Sequence, residues 1–269
     1  MATLVCFHAH PDDESIATAG TMAKAAAEGH RVVLVVATRG EWGEPVPGIL
    51  DEGEQLGLRR IVETHRAAEI LGAARVEFLG YVDSGMMDEP TNDAPGSFWS
   101  ADVEHAANRL AAILREEDCD ILTIYDDHGG YGHPDHIQVH RVGARAAELA
   151  DIDAVFESTM NRDHIKRRIR EGREASPDLD GLEVPDEDDI GDDFGQSEDV
   201  ITHAVDVREY VELKRAAMRA HASQIADEHF FLALPEEEFA NSFGIEWYTA
   251  HGSEKRVGEF STDLFDGVS

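Results

Sequence analysis

Residues 3–14 read Thr-Leu-Val-Cys-Phe-His-Ala-His-Pro-Asp-Asp-Glu, an apolar run that leads directly into a cluster of histidine and acidic side chains. The run Thr3–Phe7 has the length and composition of a short buried strand. Residues 31–37, Arg-Val-Val-Leu-Val-Val-Ala, form a second apolar run whose β-branched residues are typical of a central parallel strand. Between the two runs, Ser15–Glu28 is rich in alanine and is followed by Gly29, which predicts a helix with a glycine stop.

This alternation of strand-like and helix-like segments continues over about the first 160 residues. The further predicted helices are Glu54–Leu71, Asp102–Glu117 and Asp135–Leu149, and the further predicted strands are Val76–Leu79, Ile121–Tyr125 and Ala154–Glu157. The pattern predicts an α/β fold of the Rossmann-like type, with a mostly parallel sheet and helices on both of its faces. We assign the Rossmann-like core to residues 1–160.

Residues 161–269 are predicted to form a smaller C-terminal α/β extension that packs on the same domain. Residues 175–199 are acidic and rich in turn-forming residues, which indicates a solvated loop. Beyond this loop, Val205–Ser223 is predicted to be helical, and Phe243–Tyr248 is a last apolar segment.

The chain is strongly acidic, with 56 Asp and Glu residues against 23 Lys and Arg residues and a formal net charge of −33. A surface of this sign repels phosphate backbones and anionic lipid surfaces, so binding to nucleic acid or to a membrane surface is not expected. No apolar run approaches the length of a membrane span and no signal peptide is visible, so the expected location is the cytoplasm.

Cys6 and Cys119 are interpreted as buried thiols because they lie in or beside apolar runs. The sequence does not determine the oligomeric state, and it is compatible with a homo-oligomer.

Two short clusters combine histidine with acidic residues, and each follows a predicted strand. The first covers residues 8–14, and the second, residues 128–136, reads His-Gly-Gly-Tyr-Gly-His-Pro-Asp-His. In parallel sheets, ligands bind beyond the carboxyl ends of the strands, near a switch in strand order. Both clusters are therefore expected on the same rim. Because imidazole and carboxylate groups are the ligands of catalytic divalent metals, the sequence predicts one composite metal site.

The first cluster offers a histidine and two adjacent carboxylates. A hydrolytic zinc site has three protein ligands and one open position for water, and a nearby carboxylate can accept the proton of that water. Next to His10, one of Asp12 and Asp13 can bind the metal while the other faces the water. Pro11 stiffens the turn that presents them.

The second cluster offers His133 and His136, which are three residues apart. One of these imidazoles can reach the metal while the other faces the substrate. A protonated histidine beside Asp135 can stabilise an oxyanion or protonate a leaving amine. Tyr131 is close enough in sequence to offer its hydroxyl group to the same oxygen.

At these residues the sequence resembles the PIG-L/LmbE-like deacetylase superfamily, which includes the mycothiol-pathway deacetylase and amidase and the glycosylphosphatidylinositol-pathway de-N-acetylase. The first motif of the family matches residues 9–14, Ala-His-Pro-Asp-Asp-Glu, and the second matches residues 132–136, Gly-His-Pro-Asp-His. Residues 83–86, Asp-Ser-Gly-Met, are similar to a substrate-loop segment of the family. The resemblance covers about the first 150 residues and returns more loosely at Lys214–Gln224.

The resemblance implies a metal site and a general base. Zn²⁺ would be held by His10, Asp13 and His136, and Fe²⁺ is a second metal that the same ligands admit. Asp12 would be the general base.

The resemblance also implies groups that act on the substrate. His133, tuned by Asp135, would be the protonated partner of the oxyanion or the leaving group, and Tyr131 would polarise the substrate carbonyl. Arg60 and Asp83 would contact sugar hydroxyl groups.

These residues predict a zinc-dependent amidohydrolase that removes an acyl group, in the first place acetate, from an N-acylated amino sugar. One alternative keeps the chemistry but cleaves the amide of a thiol–sugar conjugate. Another is a two-histidine, one-carboxylate iron oxygenase, against which the sheet pattern argues by analogy only. A non-enzymatic sugar- or metal-binding protein would leave Asp12 and His133 without a role. The choice of substrate depends on two long loops, residues 39–52 and 81–100.

Overall fold

The computed structural model describes residues 1–175, 190–253 and 258–268, and its strands form one mostly parallel sheet. In chain order the strands are Thr3–His8 (β1), Arg31–Val36 (β2), Arg75–Phe78 (β3), Ile121–Tyr125 (β4), Ala154–Thr159 (β5), His203–Asp206 (β6) and Ile245–Ala250 (β7). Their spatial order is β3-β2-β1-β4-β5-β7-β6. The first five strands are parallel, whereas β7 is antiparallel to both of its neighbours. The predicted Rossmann-like fold is confirmed.

Helices connect the strands and cover both faces of the sheet. The described helices are Asp13–Ala17 (α1), Ala19–Ala27 (α2), Leu56–Ile70 (α3), Val103–Glu116 (α4), the single turn Gly129–Gly132 (α5), Pro134–Ala150 (α6), Arg162–Ala175 (α7), Val211–Ala220 (α8), Phe230–Ala233 (α9) and Glu236–Phe243 (α10). Among the described residues, none of these helices is long and apolar enough to cross a bilayer.

The two faces of β1 belong to two separate apolar cores, because successive side chains of a strand point to opposite sides. Val5 and Phe7 pack in a core that includes residues of α4 and α6. Leu4 and Cys6 pack in the second core, which includes residues of α2, α3 and α8. Both faces of the strand are buried, which explains the uninterrupted apolar run in the sequence.

The structure differs from two of the sequence predictions. The predicted helix Ser15–Glu28 is divided into α1 and α2 at Thr18, whose φ of −133° is not helical. The prediction that Val205–Ser223 is helical is wrong at its start, because Val205 lies in β6 and pairs with Glu246 of β7. α8 begins only at Val211.

The acidic segment predicted as a loop is described in part. Residues 176–189 lie outside the described residues, and residues 190–199 form turns. α7, which precedes this segment, is a very polar helix that the sequence pattern did not predict. The C-terminal strands β7 and β6 extend the sheet at the β5 edge.

The order of the strands reverses direction between β1 and β4. From β1 the chain proceeds to β2 and β3 on one side, and β4 and β5 lie on the other side. Ligands of open α/β sheets bind at such a switch point, outside the carboxyl ends of the strands. The residue after the last residue of β1 opens the first motif, and the second His-Asp cluster begins three residues after β4. The fold therefore places both clusters at the switch point.

Candidate active site

The first motif forms a tight turn between β1 and α1, and this turn holds Asp12 in an unusual backbone conformation. Asp12 has a φ of 95°, in the left-handed region, which costs a non-glycine residue on the order of 1–3 kcal/mol. Its backbone N–H donates to Oε2 of Glu14 at 3.0 Å. Glu14 is fully buried, and its Oε1 lies 2.6 Å from Nε2 of His221. Burial alone would raise the pKa of Glu14, but the charge of His221 lowers it.

The second motif reaches the same rim through a glycine turn that leads into α6. Gly129 has a φ of 67°, and a Cβ atom there would lie 2.6 Å from Cβ of His136. His133 caps α6, its Nδ1 accepting a hydrogen bond from the backbone N–H of Asp135 at 3.1 Å. Pro134 occupies the first helical position, where no N–H is needed. The turn therefore places His136 in the first turn of α6, facing the first motif.

The two motifs meet at a buried group of histidine and aspartate side chains. Oδ2 of Asp13 lies 3.4 Å from Nδ1 of His10 and 3.4 Å from Nε2 of His136. Nε2 of His136 is buried and has no hydrogen-bond partner among the described residues. Tetrahedral zinc bound at 2.0–2.1 Å places its ligand atoms about 3.3 Å apart, so these distances fit a metal ion. His10, His133 and His136 also offer nitrogen atoms that all lie within 4.8 Å of one another.

The other ring nitrogen of His10 is held by carboxylates. Its Nε2 lies 3.1 Å from Oδ2 of Asp135 and 3.6 Å from Oδ1 of Asp83. The Asp135 carboxylate in turn accepts hydrogen bonds from the backbone N–H of Ser84, at 2.9 Å, and from the Ser84 hydroxyl group. Ligand histidines commonly donate their second N–H to a carboxylate, which fixes the tautomer and the orientation of the ring. Asp135 also acts on His133, as predicted from the resemblance: its backbone N–H donates to Nδ1 of His133, and its charge raises the pKa of that ring, against the larger lowering by burial.

The Asp12 carboxylate contacts a buried arginine. Oδ1 of Asp12 lies 3.2 Å from Nη2 of Arg60. Burial raises the pKa of Asp12 to about 6, although the charge of Arg60 lowers it. A carboxylate with such a pKa is suited to accept a proton near neutral pH.

Arg60 and Asp83, the expected substrate contacts, both lie at the site and both hold the surrounding loops. Arg60 is buried rather than a surface residue of α3, and it donates to the carbonyl oxygens of Gly40, at 2.9 Å, and Pro11. Oδ2 of Asp83 accepts from the backbone N–H of Trp42 at 3.1 Å. These bonds fasten the loop at residues 39–52 against the first motif and the loop at residues 81–100.

His133, which is buried, and Tyr131 lie beside each other at the site, with 6.3 Å between their ring centroids. Burial lowers the pKa of His133 to about 3, and the charges of His10 and His136 act in the same direction. Because Nδ1 of the His133 ring accepts a hydrogen bond, the proton of the neutral ring is on Nε2. Tyr131 is half exposed, and its ring centroid lies 5.0 Å from that of His136.

Sequence reasoning missed two residues that contact the site residues and hold them in place, Tyr125 and Ser84. The ring of Tyr125 stacks on His136, with 4.5 Å between the centroids and 17° between the planes. Its hydroxyl oxygen lies 2.7 Å from Nδ1 of His8. An aromatic residue at the end of β4, three residues before the second cluster, was the available signal. Ser84 lay within the quoted segment 83–86, but nothing in the sequence indicated that it would bind Asp135.

At its switch point, the Rossmann-like sheet carries a buried group of histidines and carboxylates that could hold a metal ion. Residues 5–147, more than half of the chain, match the PIG-L family, described as GlcNAc-PI de-N-acetylase. The chain belongs to this family of N-deacetylases, so the predicted family and the predicted class of enzyme are confirmed.

Two relatives are similar over nearly the whole chain, and both are named 1D-myo-inositol 2-acetamido-2-deoxy-alpha-D-glucopyranoside deacetylase. The protein of Acidothermus cellulolyticus is 41% identical over 279 residues, which cover 99% of this chain and 95% of the relative. That of Thermomonospora curvata is 43% identical over 264 residues, which cover 90% of this chain and 88% of the relative. A solved deacetylase of the teicoplanin biosynthesis pathway has a TM-score of 0.60 at 17% identity, covering 94% of this chain and all of its own, and supports the fold.

Proposed function

We propose that this chain removes the acetyl group from 1D-myo-inositol 2-acetamido-2-deoxy-α-D-glucopyranoside in a reaction that requires Zn²⁺. The observation that carries the chemistry is a second carboxylate beside the group of Asp13 and the two histidines. Asp13 faces two imidazoles, whereas Asp12 turns towards Arg60 and has a raised pKa. The substrate is proposed because both relatives carry it in their names.

The ligands proposed for the metal are His10, Asp13 and His136. The buried Nε2 of His136 without a partner and the 3.4 Å distances around Oδ2 of Asp13 support this set. Two imidazoles and one carboxylate suit Zn²⁺ and also admit Fe²⁺. When bound, zinc supplies a Lewis acid that lowers the pKa of water and polarises a carbonyl group. Asp135 and Ser84 orient His10 for this role.

The remaining side chains move protons and position the amide. Asp12 accepts the proton of the attacking water as the new C–O bond forms at the carbonyl carbon. The Tyr131 hydroxyl group and Nε2–H of His133 donate hydrogen bonds to the carbonyl oxygen as its charge develops. The C–N bond then breaks, and the amine takes up the proton held by Asp12. The resemblance predicts instead that a protonated His133 donates the proton to the amine. The lowered pKa of the His133 ring favours its neutral form, so Asp12 is the proposed donor here.

The test is an assay of released amine with chelator-treated protein. We expect no turnover without metal, recovery with Zn²⁺ in the absence of oxygen, and a higher kcat/KM for the N-acetylglucosaminyl-inositol than for a thiol–sugar amide. Release from the thiol conjugate alone would change the substrate assignment to the amidase alternative. Activity that requires Fe²⁺ and consumes oxygen would overturn the hydrolytic mechanism.

A further inference from the structure

A second group of two histidines and one carboxylate lies outside the active site, on three different elements. His140 belongs to α6, Glu157 to β5, and His251 follows directly after β7. Their ligand atoms all lie within 4.8 Å of one another. Oε1 of Glu157 lies 2.6 Å from Nδ1 of His251 and 3.6 Å from Nδ1 of His140. This group shares no residue with the cluster at the switch point.

The three side chains are held in place by the backbone around them. The backbone N–H of His251 donates to the carbonyl oxygen of Val155 at 2.9 Å, which continues the pairing of β5 and β7 beyond Ala250. Nδ1 of His140 lies 3.0 Å from the carbonyl oxygen of Tyr125, the kind of contact that orients a ligand imidazole. The backbone of His251 and the ring of His140 are therefore held in place before any ligand binds, and a cation would replace the 2.6 Å hydrogen bond between Glu157 and His251.

The surroundings of the group attract cations and leave it accessible. A cavity of about 260 Å³ adjoins His251 and is also lined by Glu148, Asp151 and Asp153. The His251 side chain is 38% exposed, whereas those of His140 and Glu157 are 18% and 12% exposed. A cation can therefore enter from solvent, and water can complete its coordination.

We propose that His140, Glu157 and His251 form a second site for a divalent transition-metal cation of the Zn²⁺ class. Two imidazoles and one carboxylate are the ligand set that such cations prefer over Mg²⁺ or Ca²⁺, which favour oxygen ligands. The bound cation connects α6 and β5 of the core with the end of β7. It therefore stabilises the attachment of the C-terminal strand and does not take part in the reaction.

The experiment measures Zn²⁺ bound per chain after chelator treatment, by equilibrium dialysis at micromolar free Zn²⁺ and elemental analysis. We expect two equivalents in the native sequence, one in His251→Gln, one in His136→Ala, and none in the variant with both substitutions. The matched control is His105→Gln, an exposed histidine of α4, which should retain two equivalents. His251→Gln should also retain the deacetylase activity, because this residue lies outside the catalytic cluster.

A second measurement detects the stabilising role directly. In the His136→Ala background, Zn²⁺ should raise the Tm, since a ligand that binds only the folded state stabilises it. This shift should disappear when His251→Gln is added. The proposal fails if the native protein binds a single equivalent or if His251→Gln still binds two. It also fails if the second equivalent is lost on His128→Gln, which would place the cation at the Asp126–His128 cluster instead.

Discussion

Asp12 and Asp13 are neighbours in sequence, yet their carboxylates face different groups. The left-handed backbone of Asp12, with a φ of 95°, turns its side chain towards Arg60, while Asp13 begins α1 and faces His10 and His136. The strained turn therefore lies between the proposed base and the proposed metal ligand, and strained residues commonly occur at functional sites.

Asp12→Ala is expected to lower kcat by about 10²–10⁴-fold, the usual contribution of a general base. Metal content should equal that of the unmodified protein, because Asp12 is not one of the proposed ligands. Steady-state kinetics and elemental analysis measure both quantities. Full activity in the variant would refute the assignment of the base, and loss of metal would assign Asp12 to the ligand set.

Asp135→Asn separates two roles for that carboxylate. If Asp135 orients the ligand His10, as the 3.1 Å contact indicates, the variant should bind zinc about 10–100-fold more weakly. If Asp135 instead tunes His133, kcat should fall while the Kd for zinc is unchanged. Competition with a chromophoric chelator measures the Kd. Asp127→Asn, an exposed aspartate between β4 and the second motif, is the control and should leave the Kd unaltered.

At the scale of elements, the loop at residues 39–52 is positioned by a buried arginine of α3. Arg60 donates to the carbonyl oxygen of Gly40, and a Cβ atom on Gly40 would lie 2.0 Å from its Nη1. On the far side of the loop, the backbone N–H of Val46 donates to the carbonyl oxygen of Ser223 at 2.8 Å, beyond the end of α8. The loop is therefore held between the core and the C-terminal part of the chain.

Gly40→Ala is expected to lower kcat/KM by at least about 10-fold, because it displaces Arg60 from Asp12 and a misplaced catalytic group can cost about 10²-fold. The control is Gly48→Ala in the same loop. Gly48 also has a positive φ, of 79°, but none of the described residues has an atom within 4 Å of its added Cβ. Equal kinetic effects in the two variants would show that backbone strain, rather than the collision with Arg60, is responsible.

The elements that local pattern determines could be predicted from the sequence, whereas those that distant partners determine could not. β4 was predicted at its observed bounds, Ile121–Tyr125, because an uninterrupted apolar run is a local signal. β6 was mistaken for helix because its strand conformation depends on pairing with β7, about 40 residues later. The start of α2 depends on Glu246, whose carboxylate accepts from the backbone N–H groups of Gly20 and Thr21 at 2.8 Å each.

In the candidate site too, the residues of local motifs could be predicted, whereas the contacts between distant residues could not. The two motifs, visible in the sequence, contain every residue of the proposed metal set, but the choice of Asp13 over Asp12 and of His136 over His133 came from the family resemblance. The contacts of Asp135 with Ser84, and of Glu14 with His221, join residues that are 51 and 207 positions apart. Such contacts depend on the direction of side chains in the folded molecule, which no local pattern specifies.

At the scale of the whole molecule, a buried ion pair within the C-terminal part of the chain holds the carboxylate that also binds the start of α2. Nζ of Lys214 in α8 lies 2.6 Å from Oε1 of Glu246 in β7, and both side chains are 2% exposed. Lys214→Met should lower the free energy of unfolding by about 3–5 kcal/mol, because it leaves the Glu246 carboxylate buried without a counter-charge. Urea denaturation measures the change. The control is Lys24→Met, which breaks a more exposed pair with Glu28 and should cost at most about 1 kcal/mol.

The net charge of −33 acts on the folded molecule as a whole. Repulsion among the excess carboxylates is stronger in the compact state than in the expanded unfolded chain, so screening by salt favours the folded state. We expect the Tm to rise with KCl, by about 2–4 °C for each kcal/mol of stabilisation in a chain of about this size. Most of the rise should occur at low salt, since the Debye length is already about 10 Å at 0.1 M and about 3 Å at 1 M. A Tm that is constant below 0.3 M and then rises in proportion to concentration, more steeply in sulfate, would indicate exclusion of salt from the surface rather than screening.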